Sequence, residues 1–232
     1  MILNRAWNLK PVAPSPQFRS PKAARTSLLA QLDVYTYEHS MRVKQIALEI
    51  GEILELSNQE LAGLGNAALF HDIGKLKTPQ SILMKKGALT EFEHIRIRQH
   101  SRHGYDLWLE SGGYYGVAVA ILCHHERFNG SGYPSGLFGE DIPLWSRIIS
   151  VADAIDAMVI KRSYSDPIEL PDALERIRAA EGTQFDPFLV AKTLFDKPSF
   201  SYKSLQSRLE QRVYLPERKF DTCQSEQSLA RL

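Results

Sequence analysis

The stretch YYGVAVAILCHHERFNGSGYP, at residues 114–134, joins an apolar segment to two adjacent histidines and then to a glycine-rich loop. The apolar segment has the length and the alanine content of a buried helix. Gly130 and Gly132 permit backbone conformations that other residues avoid, so they indicate a tightly shaped loop. The pattern therefore predicts a buried helix that ends on His124 and His125 and leads directly into that loop.

Helical spacing of apolar residues continues on both sides of this stretch. Two earlier segments carry an apolar stripe, at Val43, Ile46, Ile50 and Leu54 and then at Leu61, Leu64 and Ala68. TEFE, at 90–93, is a capping box that begins a helix, and PDALERIRAAEG, at 171–182, is typical of a short one. SRIISVADAIDAMVI, at 146–160, is rich in β-branched residues, but its length and its alanines favour a helix. No strand–turn–strand pattern and no internal repeat is found, so the predicted fold class is all-α.

The two ends of the chain differ from this helical middle. KPVAPSPQFRSPK, at 10–22, carries four prolines and almost no periodicity. The last stretch is polar and uneven, with one segment, YKSLQSRLEQRV, that could form an amphipathic helix. We predict an extended or flexible arm at 1–25, a helical domain at 26–196 and a polar, partly helical tail at 197–232.

Composition excludes several classes of protein. Hydrophobic residues make up 44% of the 232 residues and the formal net charge is +1, so neither bulk DNA binding nor a charged membrane surface is expected. The two cysteines form no disulfide framework, and Cys123 is expected to be a buried thiol. No apolar run reaches the roughly 18 residues of a membrane span, and the start has no signal-peptide core. A cytoplasmic protein is expected.

Most of the seven histidines continue the apolar stripes of the predicted helices and therefore point inward. The inward-pointing group, together with two aspartates, consists of His39, His71, Asp72, His100, His124, His125 and Asp153. Taken singly, each histidine could be a core residue bonded to a carbonyl, and each aspartate could be a cap or a paired carboxylate. Taken together, they are explained by one or two shared cations, because neutral imidazole and carboxylate bind Fe, Mn or Zn.

Some expectations concern single residues of this group and its surroundings. Neighbouring residues of a helix point about 100° apart. His124 and His125 are therefore expected to serve two adjacent ions, or one ion and a substrate phosphate. Gly74 is expected to end the helix that precedes it. His94, in the first turn of a charged helix, and His103, beside an arginine, are expected on the surface.

Two of the motifs resemble those of a known family. HDIGK, at 71–75, and HHERFNGSGYP, at 124–134, are similar to the two signatures of the HD-GYP phosphodiesterases, a branch of the HD superfamily of metal-dependent phosphohydrolases. Supporting segments follow in the family's order over about residues 30–190, among them DVYTYEHSMRV, HSRHG, IPLWSRIISVADAIDAM and QFDP. The resemblance implies an HD-superfamily helical bundle with additional helices and a GYP loop, and it implies that the domain at 26–196 is catalytic.

The resemblance also implies an activity and a metal site. The activity is hydrolysis of cyclic di-GMP, or of a related cyclic dinucleotide, to a linear dinucleotide by attack of a metal-bridging hydroxide. The seven side chains named above match the family's metal ligands, with Asp72 as the bridging and catalytic carboxylate. Some members hold a third metal with a glutamate four residues before the first histidine. Tyr35 stands at that position here, so two divalent metal ions are expected, with Fe or Mn as the metals.

Substrate contacts are implied in the same way. Lys75 and Arg162 match residues that contact a substrate phosphate, and Tyr133 and Gly132 belong to the loop that borders the substrate. Judged on the residues alone, Lys75 could instead interact with a helix C-terminus, and Arg162 could pair with a nearby acidic residue. Arg42, one turn after the first ligand histidine, could bind a carboxylate that orients a ligand.

Two rival functions remain at this point. One is a non-enzymatic receptor that binds a cyclic dinucleotide and acts through a protein partner, although a complete ligand set argues against it. The other is a different HD-type nucleotide phosphohydrolase, against which the GYP loop argues. No receiver or sensor domain is found before the helical part, so regulation is expected to come from a protein partner, a terminal segment or expression level. A homodimer stays open.

Overall fold

The computed structural model describes residues 20–160 and 167–195, and across these residues it contains helices and no β-strand. The all-α prediction is therefore confirmed. The α-helices are α1 (Pro21–Gln31), α2 (Val34–Ile53), α3 (Asn58–Phe70), α4 (Gln80–Leu83), α5 (Glu91–Arg98), α6 (His100–Glu110), α7 (Tyr115–Cys123), α8 (Leu144–Val159), α9 (Leu170–Ala179) and α10 (Pro187–Val190). Of the helices in the described ranges, none combines the length and the apolar character that a membrane crossing requires.

Shorter helical pieces complete the chain between these elements. A 3₁₀-helix, Ile73–Lys77, follows α3 after a two-residue gap, and a second one, Gly139–Asp141, precedes α8. A π-helical turn, Ala191–Phe195, continues α10. The helix predicted for the segment 146–160 is confirmed, because the segment lies in α8 except for its last residue.

Side-chain caps begin several of these helices. Asp33 accepts a hydrogen bond from the backbone N–H of Thr36 at 2.9 Å at the start of α2. A reciprocal capping box joins Ser57 and Glu60 at the start of α3. The predicted capping box at 90–93 is confirmed, because the Thr90 hydroxyl accepts from the N–H of Glu93 and the Glu93 carboxylate accepts in return.

The core forms around α7. That helix is apolar on all sides, and Val117, Ala118, Ala120 and Ile121 are at most 2% exposed. It packs against α3, α6 and α8, while α2 packs against α3 and α8. The site described below lies where the end of α3, the start of α6 and the end of α7 meet α2 and α8.

Gly74 corrects one expectation. The chain does not end its helical course there but continues through the 3₁₀-helix Ile73–Lys77. A Cβ atom at Gly74 would lie 1.9 Å from the carbonyl oxygen of His100 and 2.5 Å from the backbone nitrogen of Gly104. The glycine is needed because it lets this 3₁₀-helix pack backbone to backbone against α6.

The predicted N-terminal arm also needs correction at its end. Helix α1 already begins at Pro21, because the Ser20 hydroxyl caps it by accepting from the N–H of Ala23, and proline suits the first helical position. Ala24 is fully buried, so this helix belongs to the packed domain. The rest of the predicted arm, residues 161–166 and the predicted tail from 197 onward lie outside the described residues.

Candidate metal centre

All seven predicted ligands come together where five helices meet. His39 lies within α2, and His71 and Asp72 directly follow α3. His100 is the first residue of α6, and His124 and His125 directly follow α7. Asp153 lies in the middle of α8. Five of the seven side chains are at most 4% exposed, namely those of His39, His71, Asp72, His100 and His124. His125 and Asp153 are partly buried.

The ligand atoms fall into two sides. The imidazole side consists of His100, His124 and His125, and the carboxylate side consists of His39, His71 and Asp153. Within each side, one ligand atom from every residue lies within 4.8 Å of the others. A third group of the same kind, formed by His71, Asp72 and His124, connects the two sides.

Asp72 stands between the two sides. Its Oδ2 atom lies 3.6 Å from Nε2 of His39 and 3.5 Å from Nε2 of His71. Its Oδ1 atom lies 3.4 Å from Nε2 of His100. One carboxylate therefore presents one oxygen to each side, an arrangement in which it could contact two cations at once.

The expected separation of His124 and His125 is not what the structure shows. The Nε2 atoms of both lie 3.2 Å from Nε2 of His100, so both rings face the same place. Helix α7 ends at Cys123, and His125 therefore lies beyond the helix, where the 100° spacing of helical residues no longer applies.

Three of the histidines show by their hydrogen bonds where their protons are. The Nδ1 atoms of His71, His100 and His124 lie 2.7, 2.7 and 2.6 Å from the carbonyl oxygen three residues earlier. A carbonyl oxygen only accepts, so each Nδ1 carries the hydrogen, and in a neutral ring Nε2 then presents a lone pair. The 3.2 Å approach between Nε2 of His100 and Nε2 of His124 is therefore not a hydrogen bond.

Burial keeps these rings neutral. It lowers the pKa of His71 and His100, and it lowers the pKa of His124 well below its usual value with help from the neighbouring His125. Burial and the adjacent His100 lower the pKa of His125 to about 4. The Nε2 atom of His71 is buried and has no hydrogen-bond partner among the described residues. Convergent lone pairs without a donor between them are what a divalent cation requires, so the residues fit a metal.

His39 is held differently. Its Nδ1 atom lies 2.6 Å from Oδ2 of Asp156, and Arg42 binds the same carboxylate with its Nε atom 2.6 Å from Oδ1. Burial alone would lower the pKa of His39, but hydrogen bonds with Asp153 and Asp156 raise it to about 9 in the absence of a cation. The suggestion that Arg42 binds a ligand-orienting carboxylate is confirmed. Asp156 itself was missed, although it lies one turn after Asp153.

Lys75 reaches into the site. Its Nζ atom lies 2.5 Å from Oδ2 of Asp72, and its side chain remains 31% exposed. Burial would raise the pKa of Asp72, but Lys75, His71 and His100 hold it well below its usual range. The lysine therefore borders the proposed cation positions while keeping a face towards solvent.

The loop after α7 covers the imidazole side. The ring of Tyr133 stacks on the ring of His125, with centroids 4.9 Å apart and planes inclined by 29°. Gly130 has φ +77°, as the sequence predicts, whereas Gly132 is required for space: a Cβ there would lie 2.3 Å from the backbone nitrogen of Arg127.

Glu126 holds this loop in place, and the sequence did not reveal it. The side chain is 3% exposed, with Oε1 accepting from the N–H of Ser135 at 2.7 Å and Oε2 from the N–H of Leu137 at 3.1 Å. A buried carboxylate needs such donors. Its position directly after two ligand histidines is the only sequence signal for its role.

The remaining single-residue expectations have mixed outcomes. His94 is exposed, as predicted, but His103 is partly buried and its Nδ1 atom has no partner among the described residues, so the surface prediction for His103 was wrong. Cys123 is a buried thiol, and burial raises its pKa to about 12. Tyr35 is 47% exposed. Arg162 lies outside the described residues.

Comparison with known proteins gives consistent matches. Residues 24–189 match the HD domain family. A cyclic di-GMP phosphodiesterase response regulator of Xanthomonas campestris, RpfG, is 42% identical over 148 residues, which are 63% of this chain and 39% of the relative. A cyclic di-GMP phosphodiesterase of Thermotoga maritima is 37% identical over 161 residues, 68% of this chain and 44% of that protein. The chain thus spans less than half the length of these curated relatives.

Among solved structures, a cyclic GMP-AMP specific phosphodiesterase of V. cholerae is similar to this chain. The TM-score is 0.56 at 26% sequence identity, and the match covers 82% of this chain and 52% of the other. The helical arrangement therefore agrees with that of a phosphodiesterase whose name specifies cyclic GMP-AMP.

Proposed function

This chain belongs to the HD domain family, in its HD-GYP branch, and we propose that it hydrolyses cyclic di-GMP or a related cyclic dinucleotide to a linear dinucleotide. One observation supports the proposal most strongly. Seven ligand side chains from five helices converge, and the three rings whose tautomer is fixed by a carbonyl all direct a lone pair into the same space. A purely structural core gains nothing from facing lone pairs.

Two groups of the seven residues would each hold one divalent cation. We assign His100, His124 and His125 to one cation and His39, His71 and Asp153 to the other, with Asp72 contacting both. Fe or Mn suits this mixture of imidazole and carboxylate ligands. When bound, such cations neutralise phosphate charge and lower the pKa of a coordinated water, which makes attack on a phosphodiester feasible at neutral pH.

The protein contributes fixed geometry around that chemistry. Backbone carbonyls set the ring orientation of His71, His100 and His124, and the Asp156–Arg42 pair sets that of His39. Rings held before the substrate arrives need no reorganisation during the reaction.

Lys75 supplies the charge that meets the substrate. It lies beside Asp72 with an exposed face, so its ammonium group can approach an equatorial phosphate oxygen and stabilise charge as the bond to the 3′ oxygen breaks. Arg162 is proposed to act on the same phosphate group from the segment that follows α8. The oxygen of water is added to phosphorus, and the 3′ oxygen leaves with a proton.

The test is turnover of cyclic di-GMP and of 3′3′-cyclic GMP-AMP with Mn²⁺ or Fe²⁺ supplied anaerobically. We expect a linear dinucleotide from the wild-type protein and no detectable turnover from Asp72→Asn, which keeps the side-chain shape but removes the charge shared by both sides. Asp106→Asn is the matched control, because Asp106 pairs with Arg102 on the surface of α6. Wild-type-like turnover by the Asp72 variant, or none by the wild-type protein with either dinucleotide, would contradict the proposal.

A further inference from the structure

A small polar pocket lies directly beside the imidazole side of the metal centre. Its volume is about 230 Å³, and its lining includes Arg98, His125, Arg127, Ser131, Tyr133 and Gln184. Sites that enclose a drug-sized ligand usually measure roughly 300–1,000 Å³, so this pocket suits one part of a dinucleotide. His125 belongs both to the pocket and to the imidazole side, which places the two next to each other.

The two arginines of the pocket are close in sequence to histidines of the metal centre. Arg98 is the last residue of α5 and lies two residues before His100, and Arg127 lies two residues after His125. The Nε2 atoms of those two histidines are 3.2 Å apart. The same two turns that present imidazoles to the cation therefore present guanidinium groups to the pocket.

The charge of the pocket is positive. Across the described residues, no carboxylate lies within ion-pair distance of Arg98 or of Arg127. Glu126 also borders the pocket, but both of its oxygens already accept backbone N–H groups. The Nη1 atom of Arg127 donates to Oε1 of Gln184 at 2.8 Å. This bond fixes the position of the guanidinium and leaves its other N–H donors available.

The contact of Arg98 with the loop orients its guanidinium group but leaves N–H donors available. Its guanidinium lies over the ring of Tyr133, 5.2 Å from the centroid, and the residue as a whole is exposed. Stacking on a ring face uses the plane of the guanidinium and leaves the N–H groups at its edge for an acceptor. An exposed, preoriented fork of donors suits the oxygens of a phosphate group.

We propose that this pocket binds the second phosphodiester of the substrate, the one that is not cleaved, and that Arg98 is its principal contact. The inference rests on the proposed function, because a cyclic dinucleotide carries two phosphodiester groups and only one can lie at the metal centre. Arg127, which also lines the pocket, adds a second contact. The pocket thereby selects for substrates that carry a second phosphate.

The test compares Arg98→Ala and Arg98→Lys with Arg96→Ala as the matched control. Arg96 is exposed on the same helix, but its guanidinium lies over Phe92, and the pocket does not include it. For cyclic di-GMP we expect Arg98→Ala to raise KM by about tenfold to a hundredfold with little change in kcat, as for loss of one charge-assisted hydrogen bond. Arg98→Lys should recover part of this loss, and Arg96→Ala should match the wild-type protein.

Calorimetric titration of cyclic di-GMP into each protein, together with the turnover assay, distinguishes failure of the pocket assignment from failure of the proposed function. If the wild-type protein hydrolyses the dinucleotide and Arg98→Ala has an unchanged KM, the pocket assignment is wrong and the proposed function stands. If the wild-type protein binds it without hydrolysis and Arg98→Ala binds about tenfold more weakly or worse, the proposed function fails and the pocket assignment stands. No binding and no hydrolysis by the wild-type protein with either cyclic di-GMP or 3′3′-cyclic GMP-AMP would overturn both, as would equal binding by the wild-type protein and Arg98→Ala without hydrolysis.

Discussion

The two sides of the metal centre differ at one histidine, because His71 on the carboxylate side also donates to a backbone carbonyl and only His39 is held by a carboxylate. On the imidazole side, His100 and His124 donate to backbone carbonyls, and burial keeps the rings neutral. On the carboxylate side, His39 donates to Asp156 and lies 3.2 Å from Asp153, so negative charge surrounds it. A cation on the imidazole side would keep more of its charge for the substrate, whereas one on the carboxylate side would be held more firmly.

Loss of one proposed ligand from either side should reduce both metal content and turnover. His125→Ala and Asp153→Ala should each lower turnover by more than about 100-fold, because each removes a proposed direct ligand, and even outer partners of a metal are worth about 10–100-fold. Metal analysis of the two purified variants should show about one cation per chain in both. A variant that keeps both cations and full turnover would contradict the assignment of that ligand.

A substitution that leaves all seven proposed ligands in place should affect only the carboxylate side. Asp156→Asn keeps the shape of the side chain but removes the charge that holds His39 and Arg42. Metal affinity of the carboxylate side should fall by about 10–100-fold, while that of the imidazole side stays unchanged. Titration of metal-depleted protein with Mn²⁺ would measure this as one weakened step of two. Equal weakening of both steps would mean that the two sides are not independently supported.

The smallest effect is expected where the loop meets the imidazole side. Glu126→Gln replaces one acceptor of the loop clamp with an amide NH₂ that faces a backbone N–H group. The free energy of unfolding should fall by about 1–3 kcal/mol, and KM should rise because Tyr133 and the pocket lose their support. Both cations should remain. Chemical denaturation and metal analysis check these outcomes, and loss of a cation would show that the loop and the ligands are not separable.

Sequence reasoning identified the seven proposed ligands, which the structure brings together, for a physical reason. Each of the buried helices places a metal-binding group on the continuation of its apolar stripe, and helical periodicity is visible in a single sequence. The pairing of His39 with Asp156 joins residues 117 apart, and no local pattern reports such a contact. The shared orientation of His124 and His125 depends on where α7 ends, and helix ends are the least certain part of any sequence-based prediction.

Close packing between backbone segments could not be predicted from the sequence either. Gly74 and Gly132 are glycines because another backbone approaches them, and the partners are His100 in the first case and Arg127 in the second. A sequence shows that a glycine is present but not whether a conformation or a neighbour requires it. His103 shows the same difficulty in reverse, because its charged neighbour in the sequence suggested a surface position and the residue is partly buried.

The proposed function requires two cations, one held by the imidazole side and one by the carboxylate side. Metal analysis of the anaerobically purified wild-type protein, together with turnover of cyclic di-GMP by the same sample before and after chelation, tests this requirement. We expect about two cations per chain, loss of turnover on chelation and recovery when Mn²⁺ or Fe²⁺ is returned. Full turnover by protein that holds no cation, or only one, would contradict this requirement.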